Sequence, residues 1–538
     1  MNKIYIILFV FLFTAASSIL AQGQIFERTH EIPVPITENT GLGEFISGVD
    51  FDGDGKKEIY AINNMLDLGG AELIPRIYKF EFNGTTWDSV WSGVMHTIPL
   101  QNSWSALTTG DWDQDGKQEM IWGPANNFSD DNTNPPRIIV FEYAGDGSDA
   151  MGIDVFGNYE PNATWTITEE ERKELRPLKW ELADIDSDGD IELCFGGRQT
   201  IYRYGVVSVS DIPDNGDGSE TWTLETSGLD IDFDPGTIYD MVILDNTMYL
   251  FHDNGNVTLV SYTDGEYQPP ETLENITPGG SWKSAEVLDI NNDGTEEIVV
   301  GGWQTIDDGN ARFYLLEPDD FEILRSTTVA DLKSLIGGSG RINGVGHGDI
   351  ELDGNMDIVF GTRGATPNGA IIRIEYQGGD IHDSTSYEYT IIDSLLSEMV
   401  GQRFDVVDVS NVDDDPELEV LYTDGNQTGR IPIAVLDFVE VVSVKDENIP
   451  SDFFLDQNFP NPFNPTTTIT FGLMKESSVN LRIFDILGRE VTTLLNGEIK
   501  PQGIYNITFN ASSLVSGTYI YRLQTNDFIE VRKMTLLK

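Results

Sequence analysis

A ten-residue pattern that returns six times constrains this chain more than any other feature. It reads DFDGDGKKEI from Asp50, DWDQDGKQEM from Asp111, DIDSDGDIEL from Asp184, DINNDGTEEI from Asp289, DIELDGNMDI from Asp349 and NVDDDPELEV from Asn411. Oxygen-bearing side chains hold positions 1, 3 and 5, glycine holds position 6 in five copies, and a carboxylate holds position 9. Self-similarity of this kind marks a repeat architecture, in which each unit covers its apolar faces only by stacking on its neighbours. The starts are 61, 73, 105, 60 and 62 residues apart, so one interval is nearly double. The segment from Gly236 to Tyr262 keeps the strand rhythm without the carboxylate cluster and fills that gap, which makes seven units.

Within a unit the strands can be counted. In the first, EFISGV precedes the loop and EIYAI follows it, and RIYKFEF and TTWDSVW flank Asn83-Gly84, a strong hairpin signal. Four antiparallel strands in about 60 residues is the makeup of a propeller blade. The last unit ends at IPIAVLDFVEVV without a fourth strand, and a spare strand, QIFERTHEIPV, precedes the first unit. Their pairing closes the ring. The expected fold is all-β, a seven-bladed β-propeller with calcium-binding loops followed by a small antiparallel β-sandwich.

The loops suit a hard cation. Calcium takes six to eight oxygens, and three short side chains at alternate positions, one backbone carbonyl and the carboxylate at position 9 supply most of them. An EF-hand is excluded because its position 12 carries Glu between helices, whereas here position 12 is Ala61, Trp122, Phe195, Val300, Phe360 or Tyr422 amid β-branched and aromatic residues. The candidate ligands are Asp50, Asp52, Asp54 and Glu58; Asp111, Asp113, Asp115 and Glu119; Asp184, Asp186, Asp188 and Glu192; Asp289, Asn291, Asp293 and Glu297; Asp349, Glu351, Asp353 and Asp357; and Asn411, Asp413, Asp415 and Glu419. A single such loop reads equally well as an acidic turn. Five close copies at the same place favour metal, while Pro416 at position 6 makes the sixth copy the weakest. These repeats resemble the FG-GAP, or VCBS, family, which includes the propeller heads of integrin α chains. The resemblance implies a calcium-stabilised propeller with structural loops and partner binding on another surface.

The chain of 538 residues carries 32 basic and 90 acidic side chains, a formal charge of −58, which opposes nucleic acid or anionic lipid as a partner. The excess lies upstream, because residues 450–538 carry both signs in equal number. That neutral segment opens with IPSDFFLDQNFPNPFNPTTTITFGL, whose prolines forbid helix, and continues in strand-like runs. QNFPNPFNPTTTI, FDILGREV, SGTYIYRL and the lysine-ended tail closely resemble the type IX secretion system C-terminal sorting domain, type A. The resemblance implies the type IX machinery as a partner. It also implies passage through the periplasm of a Gram-negative bacterium, then transfer across the outer membrane with removal of the tag and surface attachment. At the other end, MNKIYIILFVFLFTAASSILAQ reads as a cleavable export signal, with an apolar run too short to span a membrane. The expected layout is 1–21 signal, 22–445 propeller, 446–452 linker and 453–538 sorting domain, with no span in the mature protein.

No HExxH, CxxC, phosphate-loop or GxSxG motif is present, and GVGHGD at Gly344 has the wrong spacing for a dinucleotide loop. His30, His96, His252, His347 and His382 are scattered, and Cys194 alone in ELCFGG reads as a core thiol. Trp104, Trp122, Trp282 and Trp303 recur at equivalent places and read as blade packing, while Trp87, Trp91, Trp165 and Trp222 are the candidates for a ligand face. The leading expectation is a non-catalytic surface protein that binds an extracellular glycan or protein. A polysaccharide lyase or hydrolase on the same scaffold, its carboxylate pair hidden among 90 acidic residues, and a structural surface-layer protein are the alternatives.

Overall fold

In this computed structural model the described residues are 24–440 and 453–538, apart from 37, 39–40, 64–74, 96–104, 124–135, 167–176, 199–203, 229–235, 304–310, 319–323, 333–334, 336–339, 364–368, 395–402, 414, 426–430, 476, 502 and 527. The expected signal (1–21) and linker (446–452) lie outside them, as do Trp104 and His96. The chain divides into two compact units, one spanning Ile25–Val439 and the other containing Glu440–Lys538. Among the described residues no helix is long and apolar enough to cross a membrane.

Strands dominate both units, as the alternating and continuous apolar runs dictate. In the larger unit each repeat forms a group of antiparallel strands paired in sequence order. The first group is Leu42–Val49, Glu58–Asn63, Arg76–Phe82 and Trp87–Val94, and the second is Ala106–Gly110, Glu119–Gly123, Ile138–Glu142 and Ala163–Trp165. The third runs Pro177–Ala183, Glu192–Gly197, Tyr204–Val209 and Trp222–Ser227. The segment without the carboxylate cluster gives Ile238–Leu244, Thr247–His252 and Val257–Thr263, with short strands on the last. The fifth is Ala285–Leu288, Glu297–Gly301, Arg312–Glu317 and Arg325–Asp331, and the sixth Arg341–Gly348, Asp357–Arg363, Ala370–Tyr376 and Tyr387–Ser394. In the seventh, Arg403–Ser410, Glu419–Gly425 and Ile433–Glu440 are completed by the N-terminal strand Gln24–Ile32, the pairing that the sequence leaves open at both ends. Among the described residues one backbone bridge, Arg363 to Arg403, joins the sheets of the sixth and seventh groups, which also pack through Val359, Ile371, Val407 and Tyr422.

Second strands are buried on both faces, and Glu58–Asn63 is buried throughout, because apolar clusters fill the space between consecutive groups. Tyr60 and Ile77 pack with Trp122 and Phe141 of the next group, and Trp112 and Ile121 with Trp180 and Phe195 of the one after. The series returns on itself. Leu421 and Val435 of the seventh group pack with Phe45 and Ile59 of the first. The approach is close enough to exclude side chains: a Cβ on Gly123 would lie 2.2 Å from the Trp180 ring. First strands line a cavity of about 470 Å³ that holds Glu44, Lys179, Glu181, Lys283, Glu286 and Asp408.

The smaller unit pairs a three-stranded sheet (Phe454–Leu455, Thr466–Leu473, Gly503–Asn510) with a four-stranded one (Glu490–Lys500, Ser477–Asp485, Gly517–Gln524, Ile529–Leu536) around Ile469, Phe471, Leu481, Tyr521 and Met534. It is the antiparallel sandwich expected from the sequence.

Candidate metal-binding loops and an arginine face

Each loop joins the first strand of its group to the second, and one contact recurs in all six. The residue at position 2 donates its backbone N–H to the carboxylate at position 9: Phe51 to Glu58 at 3.2 Å, Trp112 to Glu119 at 2.5 Å, Ile185 to Glu192 at 3.0 Å, Ile290 to Glu297 at 3.1 Å, Ile350 to Asp357 at 3.0 Å and Val412 to Glu419 at 2.7 Å. Position 9 opens the second strand, so the strand's burial takes this carboxylate inside; Glu58, Glu119 and Glu419 are fully buried. The turn itself demands glycine at position 6, where Gly55, Gly116, Gly189, Gly294 and Gly354 have φ near +90°. Proline cannot adopt that φ, so the sixth loop takes another path at Pro416.

The second loop offers the fullest donor set. Asp111, Asp113, Asp115 and Glu119 each present an oxygen, all within 4.8 Å of one another. Oδ1 of Asp111 and Oε1 of Glu119 are buried with no hydrogen-bond partner, an arrangement that a hard divalent cation satisfies. Burial, with Asp113, Glu142 and Asp111 adding their charges, pushes the Glu119 carboxyl up to about 9. The same causes raise Glu192 to about 8 and Glu297 to about 7. Asp50, Asp52 and Glu58 converge likewise, as do Asp184, Asp186 and Glu192. Asp54 is held by Lys56 at 2.5 Å. Asn291 donates to Asp293 at 2.9 Å within the fourth loop, while Asp289 accepts from the Asp293 and Gly294 amides. In the fifth loop Asp349 accepts from the Asp353 and Gly354 amides. Asp188 and Asp353 accept the amides of Asp190 and Asn355, and Asp413 that of Asp415.

Sequence reading missed a second set of carboxylates around the loops. Glu81, Glu142 and Glu375 stand directly across from position 9, and Glu317 and Asp437 each follow the residue that pairs with position 10, Leu316 and Leu436. With Asp149 and Asp214 from later segments they form the clusters Asp52–Glu81–Asp149 and Asp115–Glu142–Asp214. The recurring acid in KFEF, VFEY, LLE, RIEY and LDF was the available signal.

The tryptophans divide differently from expectation. Trp122, Trp282 and Trp303 are buried, in keeping with packing. Trp87 and Trp91, read as ligand-face candidates, are buried as well, at 4% and 5% exposure, because a register shift between them turns the two rings into the clusters on either side of the strand. Trp165 and Trp222 are half-buried and stack on each other at 5.4 Å. At the strand ends remote from the loops, Tyr239, Trp282 and Trp303 form one cluster with centroids 4.5 to 5.1 Å apart. Arg198 lies over Tyr239 at 5.2 Å, Arg341 over Trp303 at 5.0 Å and Arg363 over Trp282 at 5.9 Å. Of the histidines, His252 is buried against Thr258, His30 packs on Phe82, His382 meets Glu317, and His347 is half-buried in its strand. Cys194 is fully buried, and burial raises its thiol.

Residues 457–536 match the family model for the secretion system C-terminal sorting domain, and residues 38–122 match that for the FG-GAP-like repeat. The sorting domain indicates export to the cell surface or the medium. No curated protein matches the chain. Similar solved structures include a Saccharomyces cerevisiae complex of dbp5 with nup159 and gle1 (8% identity, 78% of this chain and 96% of that one, TM-score 0.37). A computationally designed protein, Ika8, has 10% identity over 76% and 99% of the two chains, with a TM-score of 0.36. A quinoprotein alcohol dehydrogenase-like protein from Bacteroides thetaiotaomicron has 10% identity over 88% and 99%, with a TM-score of 0.29. Similarity this low carries no inference about the chain.

Proposed function

We propose that the chain is an exported seven-bladed propeller, stabilised by calcium, that binds an extracellular glycan or protein without catalysing a reaction. The observation that carries the architecture is the closed series of apolar clusters, each shared by consecutive strand groups, with the N-terminal strand completing the seventh. The buried, partnerless oxygens of Asp111 and Glu119 support the metal. The sorting domain supports delivery by the type IX machinery to the outer surface of a Gram-negative cell.

Arg198, Arg341 and Arg363 support a binding face away from the loops. In a chain of −58, three guanidinium groups gathered over one aromatic cluster form a local positive site suited to carboxylate or sulfate groups. The test is an array of neutral and acidic glycans and matrix proteins, probed with the wild-type protein and with Arg198→Ala/Arg341→Ala, together with analysis of products. Retention on acidic ligands, weakened at least tenfold in the double variant and without products, is the expected result. Unsaturated or reducing-end products would overturn the non-catalytic reading.

A further inference from the structure

Two of the six loops already hold a buried cation of the chain on positions 3 and 9; in the second loop the half-buried Lys117 meets position 5, Asp115 Oδ2, and Glu142 Oε1, each at 3.0 Å. Lys79, on the third strand of the first group and 1% exposed, places Nζ 2.6 Å from Asp52 Oδ2, 2.6 Å from Glu58 Oε1 and 3.0 Å from Glu81 Oε1. Arg373, on the third strand of the sixth group, donates from Nε to Asp357 Oδ1 at 2.6 Å, bonds Glu351 through Nη2 and lies 3.0 Å from Glu375 Oε2. In both loops the contacts are the carboxylates at positions 3 and 9 and the acid facing position 9. The two basic residues also share one register position, Lys79 across from Tyr60 and Arg373 across from Val359, two residues beyond position 9. The equivalent residue is Val140, Val206, Leu315 or Val435 in the other four carboxylate-bearing groups.

A divalent ion at either loop would compete for the same oxygens and meet a buried positive charge a few ångströms away. Expelling Lys79 or Arg373 would leave that charge unpaired in the interior, a strongly unfavourable state. The donor sets of the first and fifth loops therefore do not fit calcium. The sixth does not fit either, since Pro416 cannot take the positive φ with which glycine closes the turn in the other five loops.

We infer that Lys79 and Arg373 replace the metal in the first and fifth loops, so that the chain takes three calcium ions, one each in the second, third and fourth loops. The sixth, seventh and first groups, which carry the three metal-independent loops, are consecutive around the closure where Gln24–Ile32 joins Ile433–Glu440. The closure of the ring thus needs no metal, and calcium tightens the opposite arc after export. This inference rests on the calcium reading for the second to fourth loops alone.

The experiment counts calcium bound at saturation by the chain lacking residues 1–21, using equilibrium dialysis with native mass spectrometry. The expected counts are three for wild type, three for Asp52→Asn, two for Asp113→Asn and four for Lys79→Met, whose vacated carboxylates recruit an ion. Five or six ions in wild type, or a count lowered by Asp52→Asn, would overturn the inference even if Lys79→Met failed to fold; a folded Lys79→Met that gained no ion would do the same. No ion in wild type but one in Lys79→Met would remove the calcium reading of the other loops and leave the built-in cation standing.

Discussion

The backbone N–H of Trp112 donates to Oε2 of Glu119 at 2.5 Å, and Oε1 of the same carboxylate is buried with no hydrogen-bond partner. One oxygen is thus spent on shaping the loop, while the carboxylate converges with Asp111, Asp113 and Asp115. Extracellular calcium modules bind at roughly 0.1–1 mM, so at a few millimolar one such loop adds about one to two kcal/mol to the folded state. The triple change Asp111→Asn/Asp113→Asn/Asp115→Asn should remove that increment without unfolding the ring, since neighbouring groups still cover the strands. Calorimetric melts of both proteins in calcium and in chelator check it, and an undiminished calcium response in the triple variant would contradict it.

Calcium and protons compete for the same carboxyl. Without metal, Glu119 is raised from about 4.5 when unfolded to about 9 when folded. A carboxyl raised in the folded state favours folding below its unfolded value, and that contribution is lost as pH rises toward 9. In chelator, stability should therefore fall between about pH 4.5 and 9. Calcium binds the deprotonated carboxylate, so the gap between melting temperatures in calcium and in chelator should be wider at pH 8.5 than at pH 6. Equal gaps at both pH values would refute the linkage.

Gly123 is fixed by its neighbour, the Trp180 ring, which would lie 2.2 Å from an added Cβ. Gly123→Ala should destabilise the larger unit by about 1–3 kcal/mol through overpacking between the second and third groups. Denaturant unfolding measures it, and a loss below a few tenths of a kcal/mol would show that the groups can separate freely.

The sorting domain has its own apolar core, and the larger unit has cores of its own. Deleting residues 451–538 should leave a folded larger unit in the periplasm. Fractionation followed by circular dichroism reads both location and fold, and undiminished appearance of the truncated protein at the surface or in the medium would count against the tag.

Much of this was legible in the sequence because its signals are local. Position-6 glycines, hairpin dipeptides and the doubled interval led to the strand groups, including the one without the carboxylate cluster. The incomplete last unit and the spare N-terminal strand led to their pairing. Contacts made across sheets were not legible. Lys79 reaches Asp52 and Glu58 only through strand register, Trp87 and Trp91 are buried by groups on either side, and Arg198, Arg341 and Arg363 meet at one aromatic cluster from separate segments.

The measurement that bears most directly on the whole account is a calorimetric melt of the protein lacking residues 1–21, in millimolar calcium and again in chelator. With three loops loaded at about one to two kcal/mol each, calcium should raise the melting temperature of the larger unit by several degrees and leave the sorting domain's transition in place. Superimposable melts in the two conditions would reduce the loops to acidic turns and contradict the calcium-stabilised propeller.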